Sequence, residues 1–415
     1  MLFKKFFILS VCVWAISCSK NEITPPPDAT HNNLDGTSFV NLSVAKGLEG
    51  IYQLKSGSNA LGSQFVCKIS KTKVSFFGDA SGLFFILSYG FKPSDSSIQF
   101  GGFWRISEST TQSIIQLSIA AKDGASDLMN NRVPATIELK GSFIDKNGTT
   151  QSIDLVFSRK FSDYVRTHEF VIFAHHGVLT TANPPYAQNS LNGVLHDQDY
   201  GVDGLEFDVR LTKDHVPICI HNPGIDILLT KKSPLSGEYI QYSFEFLENY
   251  IELIDGQRIP SVEQVLRAFI DSTTMKYMWL DIKGDPDIFK YLEPVVRNAY
   301  AHATAKGRTV EIIADIPTKD VIDQYKSWPN YSDLPTMCEL SLQDAIDLKS
   351  VYFGPRYTLG LLTEDVNKAH SMGMKVYSWT LNSHSLITNY LQNGNFDGFI
   401  SDYPAYVVYD YYTMH

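Results

Sequence analysis

Cysteine is scarce in this chain, with five among 415 residues. Cys12 and Cys18 lie in or just after an apolar N-terminal run, and Cys67, Cys219 and Cys338 are spread widely along the rest. That odd, scattered set excludes a disulfide-stapled scaffold and a cysteine-based zinc site, and the three are read as buried thiols. Positive charge is also short. Thirty-five Lys and Arg stand against 45 Asp and Glu, a net charge of −10, and no basic stripe is visible. Phosphate backbones are held by clustered cations, so nucleic acid is excluded as a main partner. A small phosphate ester, which needs only a metal and one or two cations, stays open. The chain lacks a glycine-rich fingerprint after the first strand of its C-terminal part, which argues against a nucleotide-binding open sheet. Its apolar run from Phe6 to Ser17 is too short to span a bilayer.

That run is nevertheless informative. Lys4 and Lys5 precede it, and Ala15-Ile16-Ser17-Cys18 and then polar residues follow it. This is the layout of a secretory signal, and small residues before a cysteine resemble a bacterial lipobox. The resemblance implies a lipoprotein signal over residues 1–17, cleavage before Cys18 and acylation of Cys18. The expected product is an exported lipoprotein held at the outer membrane, on its periplasmic side or at the cell surface. Several acyl chains make such an anchor effectively permanent. Residues 18–36 are polar, contain Pro25-Pro26-Pro27 and read as a tether.

With 44% hydrophobic and 19% charged residues, the remainder is globular and long enough for two domains. Residues 37–164 carry strand-like alternation over Gln64–Phe77, Ser113–Ile119 and Ala135–Phe143, separated by turns such as Lys92-Pro93-Ser94-Asp95 and Asp145-Lys146-Asn147-Gly148. The pattern predicts an all-β sandwich or small barrel, with Phe103 and Trp104 in its core. Over residues 165–415 short apolar strands alternate with amphipathic helices, which predicts an α/β TIM barrel. The expected strands are Glu169–Ala174, Gly204–Leu211, Val216–Ile220, Tyr277–Ile282, Arg308–Ala314, Met337–Leu340, Tyr357–Leu361, Lys375–Thr380 and Gly398–Ser401.

Functional residues of such barrels gather where strands end. Strand ends here offer His175 and His176, Glu206 and Asp208, His221, Asp281 and Lys283, and Trp379. Glu206 and Asp208 share one face of their strand, as do Asp281 and Lys283. Three converging carboxylates repel one another unless a cation lies among them. Oxygen ligands point to one divalent metal, Mg²⁺ or Ca²⁺. Two histidines beside that cluster suit a general base and a general acid near neutral pH, and Lys283 suits a phosphate oxyanion. Together they describe phosphoryl transfer on a diester. Taken singly, Trp379 reads as core.

Ala174-His175-His176-Gly177, Gly201 to Asp214, His221-Asn222-Pro223, Ile259 to Leu266, Asp281-Ile282-Lys283, Trp379-Thr380-Leu381-Asn382 and Ser401-Asp402-Tyr403-Pro404 stand in this order. The series resembles the glycerophosphodiester phosphodiesterase family over Glu169 to Tyr406. The resemblance implies a TIM barrel, one divalent metal and hydrolysis of glycerophosphodiesters to glycerol 3-phosphate and an alcohol. It implies His175 and His221 as the acid–base pair and Glu206, Asp208 and Asp281 as metal ligands. Lys283, His176, Gln188 and Trp379 fall at its substrate- and phosphate-binding positions. His176 replaces the family's usual Arg, Gln188 its usual Glu, Asn222 its usual Asp and Asp281 its usual Glu. Two other readings stay open: phospholipase D-like cleavage or cyclisation of lysolipid or sphingolipid head groups, and a non-catalytic lipid- or glycan-binding lipoprotein. The expected partners are a small phosphodiester or lipid head group, and a membrane through the lipid anchor.

Overall fold

A computed structural model of the chain describes residues 22–28, 32–58, 61–177 and 184–415. The signal segment and Cys18 lie outside these residues. The N-terminal strands are β1 (Gly50–Ser56), β2 (Gln64–Ile69), β3 (Val74–Gly78), β4 (Leu83–Lys92), β5 (Ser97–Ile106), β6 (Gln112–Ile119), β7 (Glu138–Ile144) and β8 (Thr150–Arg159). Each pairs antiparallel with the next, and β8 returns to β1 to close a barrel. Closure leaves no strand edge to template aggregation. The two predicted turns link β4 to β5 and β7 to β8. Alternation decides which side chains fill the barrel: Phe65, Cys67, Phe76 and Phe85 point inward. Their neighbours Val66, Phe77, Phe84 and Ile86 point outward and are buried against the second domain. Burial on both faces explains why Leu83 to Leu87 is a continuous apolar run. Trp104 is buried and donates its indole N–H to the Ile144 carbonyl at 2.9 Å.

The second domain uses β9 (Val171–Ala174), β10 (Gly204–Leu211), β11 (Pro217–Cys219), β12 (Tyr277–Ile282), β13 (Glu311–Ile316), β14 (Thr336–Cys338), β15 (Tyr352–Phe353), β16 (Lys375–Ser378) and β17 (Gly398–Ser401). All but β11 are parallel staves, and β9 closes the ring by pairing with both β10 and β17. Phe173, Tyr277, Trp279, Ile313, Met337 and Tyr377 fill the interior, as the layered core of a TIM barrel requires. Helices cover the outside. The one over Val262–Ser272 starts at a capping box in which Ser261 and Gln264 satisfy each other's backbone N–H.

Two expected strands differ from those observed. Val216–Ile220 supplies β11, which runs antiparallel to β10 and is no barrel stave. Only the turn from Thr212 to Val216 joins the pair, and a parallel crossover needs a dozen residues or more. Tyr357–Leu361 is no strand either: Tyr357–Leu359 is a turn of 3₁₀-helix. The stave is the two-residue β15 just before it, cut short by Gly354-Pro355.

The two barrels meet at the segment leading into β10 and at the last helix, Pro404–Met414. Ser75 Oγ donates to the Asp199 carbonyl at 2.6 Å, and Lys68 Nζ to that of Gly201 at 2.6 Å. Gly201, at φ +76°, packs so tightly that a Cβ there would lie 2.9 Å from the Phe77 ring. The polar stretch read as a free tether is partly docked. The Thr24 N–H donates to the Pro184 carbonyl at 3.0 Å, and the Thr24 and Pro25 carbonyls accept from Arg105 and Gln112. Among the described residues no helix is long and apolar enough to cross a membrane. Cys67, Cys219 and Cys338 are free and buried.

Candidate active site

Strand β10 sends Leu205, Phe207 and Val209 outward into the helical shell. By period two, Glu206 and Asp208 must then face the barrel interior. Register aligns Asp208 with Asp281 on β12, so the carboxyl oxygens of Glu206, Asp208 and Asp281 lie within 4.8 Å of one another. Lys283, two residues past Asp281, places Nζ 2.7 Å from Asp208 Oδ1 and 2.5 Å from Asp281 Oδ2.

Histidines crowd the same point from two loops. His175 and His176 follow β9, their rings 3.7 Å apart between centroids. The backbone at His176 is left-handed, at φ +50°. Its amide N–H donates to Glu206 Oε2 at 2.9 Å, and its ring Nδ1 lies 2.5 Å from Asp208 Oδ2. His221, just beyond β11, sets its ring 5.2 Å from that of His176.

Burial and like charge shape the titration of this cluster. Burial, then the Asp208 charge, raises the Glu206 carboxyl well above its ordinary range, and burial raises Asp281. Burial acts the same way on Asp208, but His176, Lys283 and His221 outweigh it and hold that carboxyl low. Burial pushes the His176 ring down to about 4. Burial would lower His175 too, yet Asp402 and Glu206 lift it to about 9. Lys283 is raised, its burial outweighed by Asp208, Asp281 and Glu206.

The donor set fits a hard divalent cation. Among the described residues Glu206 Oε1 and Asp281 Oδ1 are buried without a hydrogen-bond partner, a costly arrangement that a bound cation would relieve.

Several site residues had no assigned role in the sequence reading. Asp402, after β17, accepts from His175 Nδ1 at 2.6 Å. Asn382 grips Asp402 in turn, donating to its carboxylate and accepting its backbone N–H at 2.9 Å. Asn189 clamps Asp208 through both ends of its amide, at 2.6 and 2.9 Å. Its neighbour Gln188, half-buried, is not among the residues lining the cleft. The cleft holds about 450 Å³, and Trp379, Arg356 and Glu339 line it together with the histidines, Asp281 and Lys283. Asp402 sits inside a recognisable motif, Ser401-Asp402-Tyr403-Pro404, and Asn189 inside Gln188-Asn189-Ser190, which could have flagged them; Arg356 carries no such signal.

The model of the glycerophosphoryl diester phosphodiesterase family matches residues 179–310, a span holding Glu206, Asp208, His221, Asp281 and Lys283. A glycerophosphodiester phosphodiesterase from Bacillus altitudinis is 25% identical over 245 residues, covering 56% of this chain and 94% of the relative. One from Caldanaerobacter subterraneus is 23% identical over 249 residues, 57% of this chain and 96% of the relative. Among solved structures, a glycerophosphodiester phosphodiesterase from Parabacteroides distasonis aligns at 20% identity and TM-score 0.45, over 57% of this chain and 94% of that one. An Oleispira antarctica phosphodiesterase, solved with the product sn-glycerol-3-phosphate, aligns at 16% identity and TM-score 0.45, over 58% and 96%. Through its second barrel the chain is similar to the glycerophosphoryl diester phosphodiesterase family, and it is a phosphoric diester hydrolase.

Proposed function

We propose that the second barrel hydrolyses a glycerophosphodiester to glycerol 3-phosphate and an alcohol, using one divalent cation, Mg²⁺ or Ca²⁺, held by Glu206, Asp208 and Asp281. The observation that carries this reading is the convergence of three carboxylates from adjacent staves with Lys283 and two differently partnered histidines. When bound, the cation supplies Lewis-acid charge against the phosphoryl oxygens. Lys283 adds fixed positive charge beside them.

The partners of the two histidines divide their roles. His221 Nδ1 lies 2.7 Å from Asn222 Oδ1, and Asn222 Nδ2 donates to Asp226 Oδ2 at 2.6 Å, which fixes the amide orientation. The amide oxygen accepts only, so His221 carries its proton on Nδ1 and leaves Nε2 free as a base. His175 instead faces the Asp402 carboxylate, which stabilises an imidazolium and suits a general acid. His221 takes a proton from water as its oxygen bonds to phosphorus. The phosphorus–oxygen bond to the alcohol breaks, and His175 gives its proton to the departing oxygen.

The test is hydrolysis of glycerophosphocholine, glycerophosphoethanolamine and glycerophosphoinositol by the signal-free protein, with Mg²⁺ or Ca²⁺ and with EDTA. Metal-dependent release of glycerol 3-phosphate supports the reading. Inertness toward all three, together with cyclic phosphate formed from a lysolipid, replaces it with the phospholipase D-like reaction. Export and anchoring through an acylated Cys18 complete the proposal, and they rest on the sequence of the first 18 residues.

A further inference from the structure

The cleft holds one arginine, and its surroundings differ from those of Lys283. Lys283 is engaged by Asp208 and Asp281. Arg356 is exposed, has no carboxylate partner among the described residues, and lays its guanidinium 5.3 Å from the centroid of the Trp379 ring. The backbone beneath it is fixed. Trp379 Nε1 donates to the Gly354 carbonyl at 2.8 Å, Ser378 Oγ to that of Pro355 at 3.0 Å, and Tyr390 OH to that of Tyr357 at 2.6 Å. The Tyr357 N–H donates to the Trp379 carbonyl at 2.9 Å. A guanidinium stacked on an aromatic face keeps its N–H edge free for two-pronged contact with an oxyanion.

Strand order places Arg356 away from the two histidines. The staves run β10, β9, β17, β16, β15 around the ring. His175 follows β9, Trp379 follows β16 and Arg356 follows β15, and His221 follows β11, which lies along the same edge of β10 as β9, opposite β12. Glu339, which also lines the cleft, faces Asp315, and burial, then the Asp315 charge, raises its carboxyl well above the ordinary range.

We propose that Arg356, over the Trp379 ring, forms a rim subsite for a second anionic group, a phosphate or carboxylate carried on the diester away from the scissile phosphate. The proposal rests on the hydrolytic reading above and adds a substrate class to it: diesters with an anionic head are preferred over neutral ones.

The experiment compares glycerophosphoglycerol with the same diester bearing a phosphate on its distal glycerol. The kcat/KM ratio of charged to neutral substrate is measured for the wild type, Arg356→Gln and Arg356→Lys. A charge-assisted contact predicts a ratio that falls about tenfold in Arg356→Gln and only partly in Arg356→Lys. A ratio unchanged within about twofold overturns the subsite while leaving the hydrolytic reading intact. If the wild type turns over neither diester, the hydrolytic reading fails on its own. Calorimetric binding of the same two compounds to wild type and Arg356→Gln then decides the subsite: selective loss of the charged one supports it, and equal binding overturns it.

Discussion

Asp402 Oδ1 lies 2.6 Å from His175 Nδ1, and this contact separates His175 from His221, whose own Nδ1 meets the neutral amide of Asn222. A carboxylate favours the charged ring, whereas an amide oxygen only orients the neutral one. Asp402→Asn keeps a hydrogen bond and removes the charge. We expect kcat to fall by about 10²–10⁴-fold, the range of a lost acid–base function. The pH profile gives a second readout. A general acid works below its pKa, and His175 is lifted to about 9. The alkaline limb of kcat/KM in the variant should therefore move down toward the ordinary histidine value near 6.5. An unmoved limb would remove His175 from the acid role.

Metal binding should be visible without turnover. Glu206 holds its carboxyl above the ordinary range through burial and the Asp208 charge. Such a group costs stability as pH rises past its unfolded value, near 4.5. Glu206→Gln removes that cost, so the metal-free variant should melt no lower than the metal-free wild type at pH 7.5. Mg²⁺ or Ca²⁺ at a hundred times Kd stabilises by about 2.7 kcal/mol, and at about 2–4 °C per kcal/mol for a domain of this size the shift is easily measured. The variant should lose most of it. An equal metal-induced shift in both proteins would mean that the ion binds elsewhere.

Much of this site was readable along the chain, because period-two alternation reports which residues share a face. Leu205, Phe207 and Val209 flanking Glu206 and Asp208 showed those carboxyls facing inward, and Asp281-Ile282-Lys283 showed the same. Alternation carries no direction, however, so β11 read as a stave although its turn forces it antiparallel. Contacts between distant loops were equally hidden. Asp402 meets His175 across 227 residues, and only the β9–β17 pairing brings them together. Arg356 reaches the cleft because β15 is two residues long, too short for any periodicity to register.

The proposed membrane anchoring depends on acylation of Cys18, read from the sequence around it. Cys18→Ser should move the protein from the membrane fraction to the soluble exported fraction and abolish incorporation of labelled palmitate. Activity per molecule on a water-soluble diester should persist, because both barrels are intact. Labelling that survives the substitution would refute lipid attachment at Cys18.

Acid stability should depend on the opposite end of the barrel. Glu169, just before β9, binds Lys276 beside β12, Lys375 at the start of β16 and the Tyr277 hydroxyl. One carboxylate thus ties together the N-terminal ends of three staves. Lys276, then Lys375 and Tyr277, depress it from 4.5 to about 2. A depressed carboxylate contributes its stability above the unfolded value and loses it as pH falls through the folded one. Glu169 is half exposed, so solvent screens the cluster and the contribution is about 1 kcal/mol or less. Urea unfolding of wild type and Glu169→Gln should differ by about that amount at pH 7, and the gap should close between pH 4.5 and pH 2. A gap that stayed constant over this window would mean that the variant perturbs packing, and that the ion pairs themselves contribute nothing.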